Sequence, residues 1–182
     1  MLASRSPQRR AILEQLGIPH VAQVPDAEEL EAGPALEVAI ENARRKAQAV
    51  ASGLPGELVL GVDTVVCIEA RLYGKPADPS EARATLEALA GRRHMVVSGL
   101  CLIACGDVRT ASASTSVAFR PLDAATIEWY VRSGEWRERA GGYAIQGRGA
   151  ALVATIEGDY SNVVGLPVPT LLELAPGLLT GT

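Results

Sequence analysis

Between Ser4 and Arg10 the sequence runs SRSPQRR, three arginines and two hydroxyls in seven residues. Ser6 suits a helix N-cap and Pro7 a first turn, so the cluster falls where free N–H groups and a partial positive charge favour an anion. It is either a solvated helix start or a phosphate seat in which the Ser hydroxyls are joined by Arg9 and Arg10. Asp63 interrupts the apolar stretch GVDTVV. A carboxylate inside a strand is costly unless it is paired, hydrogen-bonded or bound to a metal; the other reading is an Asp that caps a turn at a frayed strand end. The acidic run with Asp26, Glu28, Glu29 and Glu31 is a solvated loop, or the source of a second carboxylate for a hard divalent cation beside Asp63. Of seventeen basic residues only Lys46 and Lys75 are lysines, and Lys75 sits between Gly74 and Pro76 in what is either an ordinary turn or a fixed mount for an ammonium. Four glycines in AGGYAIQGRGA let backbone approach a ligand, and Gln146 there offers a donor and an acceptor, although such loops are common. Together these groups form the set that metal-assisted phosphoryl chemistry on a nucleotide requires.

The elements that must position them follow from pattern. A first helix runs from Pro7 to its stop at Gly17, and a second, roughly Pro34 to Ser52, carries Leu36, Ile40, Ala43, Ala47 and Val50 at helical spacing. LVLGVDTVVCIE, Leu58 to Glu69, is β-branched and apolar on both faces and reads as a central strand. A turn at Ala70-Arg71 leads to a strand edge at Leu72 to Pro76, and Asp78-Pro79 opens a helix through Leu89. Strands at His94–Cys105 and Val108–Phe119 are expected to join through a turn at Gly106-Asp107. A helix from Asp123 to Arg132, a strand from Leu152 to Ile156, the apolar pair Val163-Val164 and a helix from about Thr170 complete the chain. Hairpins and crossovers mixed in this way predict an α/β fold, a mixed central sheet flanked by helices, in one domain over residues 1–182.

Composition removes several function classes. With 48% hydrophobic and 21% charged residues the chain should fold, and no apolar run reaches the length of a membrane span. Met1 to Leu16 has no apolar signal core, so the expected location is cytoplasmic, without a membrane. A net charge of -4 disfavours a general nucleic-acid binder. Cys67, Cys101 and Cys105 lie in apolar runs without metal-ligand spacing and read as buried, reduced core residues. Only His20 and His94 are histidines, which leaves little material for a zinc site or a histidine-based triad. Neither a Walker A sequence nor a GxGxxG fingerprint is present.

LASRSPQRRAIL, GVDTVV followed by GKP, AGGYAIQGRGA and GDYSNVVGLPV, in this order from Leu2 to about Pro169, resemble the Maf family of nucleoside triphosphate pyrophosphatases. The resemblance implies a mixed α/β fold with a nucleotide-binding cleft, related to inosine triphosphatases. It also implies a homodimer, and cleavage of nucleoside triphosphates between the α and β phosphates with Mg²⁺ or Mn²⁺. By the same resemblance Asp63 is the proton acceptor, Glu29 its carboxylate partner at the metal, and Ser6, Arg9, Lys46 and Lys75 hold the triphosphate. Thr64 and Gln146 in YAIQG match the branch acting on dTTP and UTP, whereas the branch acting on 7-methyl-GTP carries a different pair of motifs. Gln8 departs from the pattern: members of the pyrimidine branch usually have Arg at this position, which by the resemblance helps select the base. Two other functions remain compatible with the same motifs: removal of modified nucleotides, and a non-catalytic regulator of septum formation and cell division.

Overall fold

The computed structural model describes residues 1–180. Seven strands form one mixed sheet: β1 (Leu2–Ala3), β2 (Ala22–Gln23), β3 (Val59–Ile68), β4 (Arg71–Tyr73), β5 (Arg93–Ala104), β6 (Asp107–Phe119) and β7 (Val153–Glu157). They run in the order β2-β1-β3-β5-β6-β7, with β4 also on β3. β1 is parallel to β2 and β3, and every other pair is antiparallel. Among the described residues six α-helices flank it: α1 (Pro7–Gln15), α2 (Ala35–Ala51), α3 (Pro79–Leu89), α4 (Ala124–Ser133), α5 (Tyr160–Val164) and α6 (Val168–Leu174). Among the described residues no helix is long and apolar enough to cross a membrane.

β3 organises the molecule. Along one edge it pairs with β5 from Val59 to Cys67. Along the other it pairs with β1 at Leu60 and Gly61 and with β4 from Val66 to Ile68. Residues 62–65 therefore have no strand partner on that second edge, and the sheet opens there.

Side-chain alternation along β3 divides its surroundings. Leu60 and Val62 join Leu100 and Leu102 under Leu13, Leu166 and Leu171 from the α1 and α6 region. Val66 and Ile68 join a larger core with Leu86 and Leu89 of α3 and Ile127 and Tyr130 of α4. On the opposite face α2 lies almost directly on the sheet. A Cβ at Gly61 would stand 2.1 Å from the Ala43 carbonyl oxygen, and one at Gly99 2.3 Å from that of Ala39. Glycine at both positions is what allows this helix to approach so closely.

The caps follow sequence chemistry. Ser6 Oγ accepts from Arg9 N at 3.4 Å, Asp78 from Ser80 N and Glu81 N, and Asp123 from Thr126 N. Four expectations are corrected. The β5–β6 turn is Cys105-Gly106, with φ of 49° and 84°, because a two-residue hairpin of type I′ needs positive φ at both central positions and Ala104 pairs with Asp107. Cys105 is consequently exposed, while Cys67 and Cys101 are buried. The β3–β4 turn likewise sits one residue early, with Glu69 at φ 53°. Val163 and Val164 end the short helix α5, capped by Asp159, and α6 begins at Val168 rather than near Thr170.

Candidate active site

A cavity of about 430 Å³ opens at the gap in the β3 edge, and Ser6, Arg9, Glu29, Lys46, Asp63, Thr64, Lys75 and Gln146 all line it. Asp63 is 6% exposed, so its charge needs partners. They come from α2, pressed onto this face by the missing side chains of Gly61 and Gly99. Lys46 Nζ donates to Asp63 Oδ1 at 2.5 Å, and Asn42, one helical turn earlier, donates to Oδ2 at 3.2 Å. The Lys46 ammonium also meets Glu29 Oε2 at 2.9 Å, so two carboxylates share one cation. Asn42 fixes the acidic loop as well: its Oδ1 accepts from Leu30 N at 2.7 Å and its Nδ2 donates to Leu30 O at 3.0 Å. Sequence reasoning missed Asn42; the one signal it offered was its place four residues before Lys46 on the same helix.

Arg9 is buried in the first turn of α1 and directs its donors to neutral oxygens. Nε reaches Gly165 O at 2.9 Å, Nη1 Ser4 Oγ at 3.1 Å, and Nη2 Thr64 Oγ1 at 3.1 Å. Burial pulls its guanidinium below arginine's ordinary pKa, and the charges of Asp63 and Glu29 pull the other way. Arg9 thus joins α1, the loop after α5 and the residue next to Asp63. Thr64 Oγ1 further shares a hydrogen bond with Ser98 Oγ at 2.9 Å. Arg10, in the same sequence cluster, is exposed and outside the cavity lining.

Gln8 lies outside the lining of the main cavity. Its Oε1 accepts from Ser6 Oγ at 3.0 Å, and its side chain lines a second cavity of about 380 Å³ with Ile12, Leu16, Val164 and Val168. Gln146 lines both cavities. The segment that carries it is anchored by phenols: Tyr130 Oη accepts from Ala144 N at 2.8 Å, and Tyr143 Oη pairs with His94 Nε2 at 2.9 Å. Burial pushes both tyrosine hydroxyls up in pKa and brings His94 down to about 4.

Lys75 stands on another wall, half exposed, with Glu138 Oε2 at 3.4 Å. Gly141 N donates to Gly74 O at 3.0 Å and clamps the two segments together. Arg139 lines the same wall. Its sequence signal was its position immediately before AGGYAIQG.

Glu29 and Asp63 are hard oxygen donors close enough to share one ammonium, and among the described residues no group of three or more His, Cys, Asp or Glu could form an all-protein metal cage. That donor set fits a cation such as Mg²⁺, which takes one or two carboxylates and completes its shell with phosphate oxygens and water.

A family model described as Maf-like protein matches residues 1–177 of this sequence. The chain belongs to the Maf family. Maf relatives match over nearly the whole length of both chains. A protein of Symbiobacterium thermophilum named dTTP/UTP pyrophosphatase is 45% identical over 176 residues, 96% of this chain and 91% of that one. Proteins with the same name from Pyrococcus furiosus and Gloeobacter violaceus are 43% and 45% identical over 96% of this chain, covering 92% and 93% of their own lengths. The seven-stranded mixed sheet flanked by helices is consistent with the Maf fold.

Proposed function

We propose that this Maf protein hydrolyses dTTP and UTP to the nucleoside monophosphate and pyrophosphate. The observation that carries the reading is Asp63. It is a buried carboxylate held from two directions by Lys46 and Asn42, at the opening of a cavity lined by further cations. The names of its relatives supply the substrate class.

In this reading Asp63 accepts a proton from the attacking water. The water oxygen forms a bond to the α-phosphorus, the bond from that phosphorus to the α–β bridging oxygen breaks, and the electron pair departs on pyrophosphate. Lys46, placed between Glu29 and Asp63, keeps both carboxylates at the reaction centre. Lys75, Ser6 and the N-terminal turn of α1 face the phosphates with positive potential. Glu29 and Asp63 would hold a divalent cation, Mg²⁺ or Mn²⁺, which polarises phosphate oxygens when bound. Gln146 and Thr64 contribute to base selection, and Gln8 modulates it through the neighbouring cavity. A cytoplasmic homodimer that keeps unwanted or modified nucleotides out of nucleic acids, with a link to arrest of cell division, completes the proposal.

Purified protein with Mg²⁺ or Mn²⁺ and a panel of normal and modified triphosphates, scored for pyrophosphate release, tests it. Fastest turnover of dTTP and UTP, abolished by Asp63→Asn with thermal stability retained, is expected. Strongest turnover of a modified nucleotide indicates housecleaning, absence of hydrolysis indicates a regulator, and near-normal activity of Asp63→Asn removes that residue from the chemistry.

A further inference from the structure

The cations of the main cavity are not in equivalent states. Lys46 is matched by Asp63 and Glu29, Lys75 by Glu138, and Arg9 by three neutral oxygens. Arg5 is exposed, so water satisfies it. Arg139 differs from all of these: it is half-buried on the cavity wall, it makes no side-chain hydrogen bond or ion pair among the described residues, and its Nε is shielded from solvent without a partner. Burial disfavours its charged form, and the Glu135 and Glu138 carboxylates act on it only as longer-range charges without an ion pair, so its Nη groups keep donors for an anion that enters the cavity.

Its setting says which part of a triphosphate it faces. The Gly74 O to Gly141 N hydrogen bond holds Arg139 and Lys75 on one wall. That wall rests on Val66, which a Cβ at Gly141 would meet at 2.9 Å. Val66 lies three residues beyond Asp63 on β3, about 10 Å along the strand. With an α-phosphorus at Asp63, this wall lies within reach of the outer phosphates across the same cavity. Glu138, just before Arg139, adopts φ 58°, a left-handed backbone that costs a non-glycine residue energy and recurs where a side chain must be aimed at a ligand.

We propose that Arg139 is a phosphate-binding residue that holds the β- and γ-phosphates, the part released as pyrophosphate. The proposal rests on the reading of the cavity as a triphosphate site. As the bond to the α-phosphorus breaks, negative charge gathers on the departing oxygen. The planar guanidinium can then offer two parallel N–H groups to phosphate oxygens, which a solitary ammonium cannot do. Glu138 screens Lys75 in the free protein and is displaced when the outer phosphates arrive.

Binding of pyrophosphate and of UMP, each titrated separately with Mg²⁺ present, tests the proposal on the parent chain and on Arg139→Ala, Arg139→Gln and Arg139→Lys. Thermal unfolding selects the folded variants, and Arg139→Gln preserves most of the side-chain volume. The expected result is an about tenfold to hundredfold weaker affinity for pyrophosphate in the Ala and Gln variants. UMP affinity should stay within about twofold, and Lys should restore part of the loss. Equal weakening of both ligands assigns Arg139 a merely structural role and overturns the proposal, as does unchanged pyrophosphate binding. If the parent chain binds pyrophosphate in an Arg139-dependent way yet cleaves neither dTTP nor UTP, the proposed activity fails while this phosphate contact stands.

Discussion

Replacing Gly61 by alanine should disable the site without touching any residue that lines it. The new Cβ would lie 2.1 Å from Ala43 O and 2.8 Å from Ala47 N, both backbone atoms of α2 that no rotamer change can move. Restoring an ordinary contact of 3.4 Å requires the helix to retreat by about 1.3 Å in the direction of the clash. Lys46 and Asn42 ride on that helix, and their bonds to Asp63, 2.5 and 3.2 Å long, do not survive such a displacement intact. Overpacking of this kind costs about 1–3 kcal/mol, and collision with backbone places Gly61→Ala at the upper end. For a domain of this size that is a loss of roughly 6–12 °C in Tm. Gly53→Ala is the control, since its Cβ would meet nothing nearer than Val50 O at 3.9 Å. Thermal unfolding by circular dichroism, paired with UTP turnover, reads both effects. A Gly61→Ala protein with the Tm of the control and parental activity would refute the claim that close packing of α2 positions the site.

Lys46→Met should lower stability by about 3–5 kcal/mol in chemical denaturation, because it strands the buried Asp63 without its ammonium; an unchanged midpoint contradicts that pairing. His94 titrates at about 4 in the folded chain against 6.5 ordinarily, so only the unfolded chain gains its proton between those values. Stability should therefore be full above pH 6.5 and fall by up to about 3 kcal/mol as pH drops toward 4. His94→Gln should flatten that slope in urea melts across the interval, and an unaltered slope assigns the acid sensitivity elsewhere. Gln146→Ala should cut discrimination between UTP and CTP, read as a ratio of kcat/KM values, by about tenfold to hundredfold; an unchanged ratio removes Gln146 from base selection.

How much of this was legible in the sequence depends on the range of the interaction concerned. α1, α3 and α4 were readable because their caps, Ser6, Asp78 and Asp123, are local chemistry with short reach. Asp63 drew notice because its neighbours demanded a strand that a carboxylate does not suit. Its partners were less accessible, since the meeting of Asn42, Lys46 and Glu29 depends on α2 lying on Gly61 and Gly99, a tertiary contact between glycines that periodicity does not register. The β5–β6 turn was misplaced by one residue because Gly-Asp is a favoured pair, whereas strand register demanded Cys105 at positive φ. Arg9 stood out as a phosphate ligand by type and position, but its three neutral acceptors also make it a structural tie between α1 and β3. The gap at residues 62–65, which opens the cavity, arises from two short strands sharing one edge of β3, and short strands carry the weakest sequence signal.

The most direct test is hydrolysis of UTP by the purified chain with Mg²⁺ in water enriched in oxygen-18, with products separated and weighed by mass spectrometry. Attack of water on the α-phosphorus beside Asp63 predicts UMP carrying the heavy oxygen and unlabelled pyrophosphate. UDP with labelled inorganic phosphate, or label on the pyrophosphate, would contradict it.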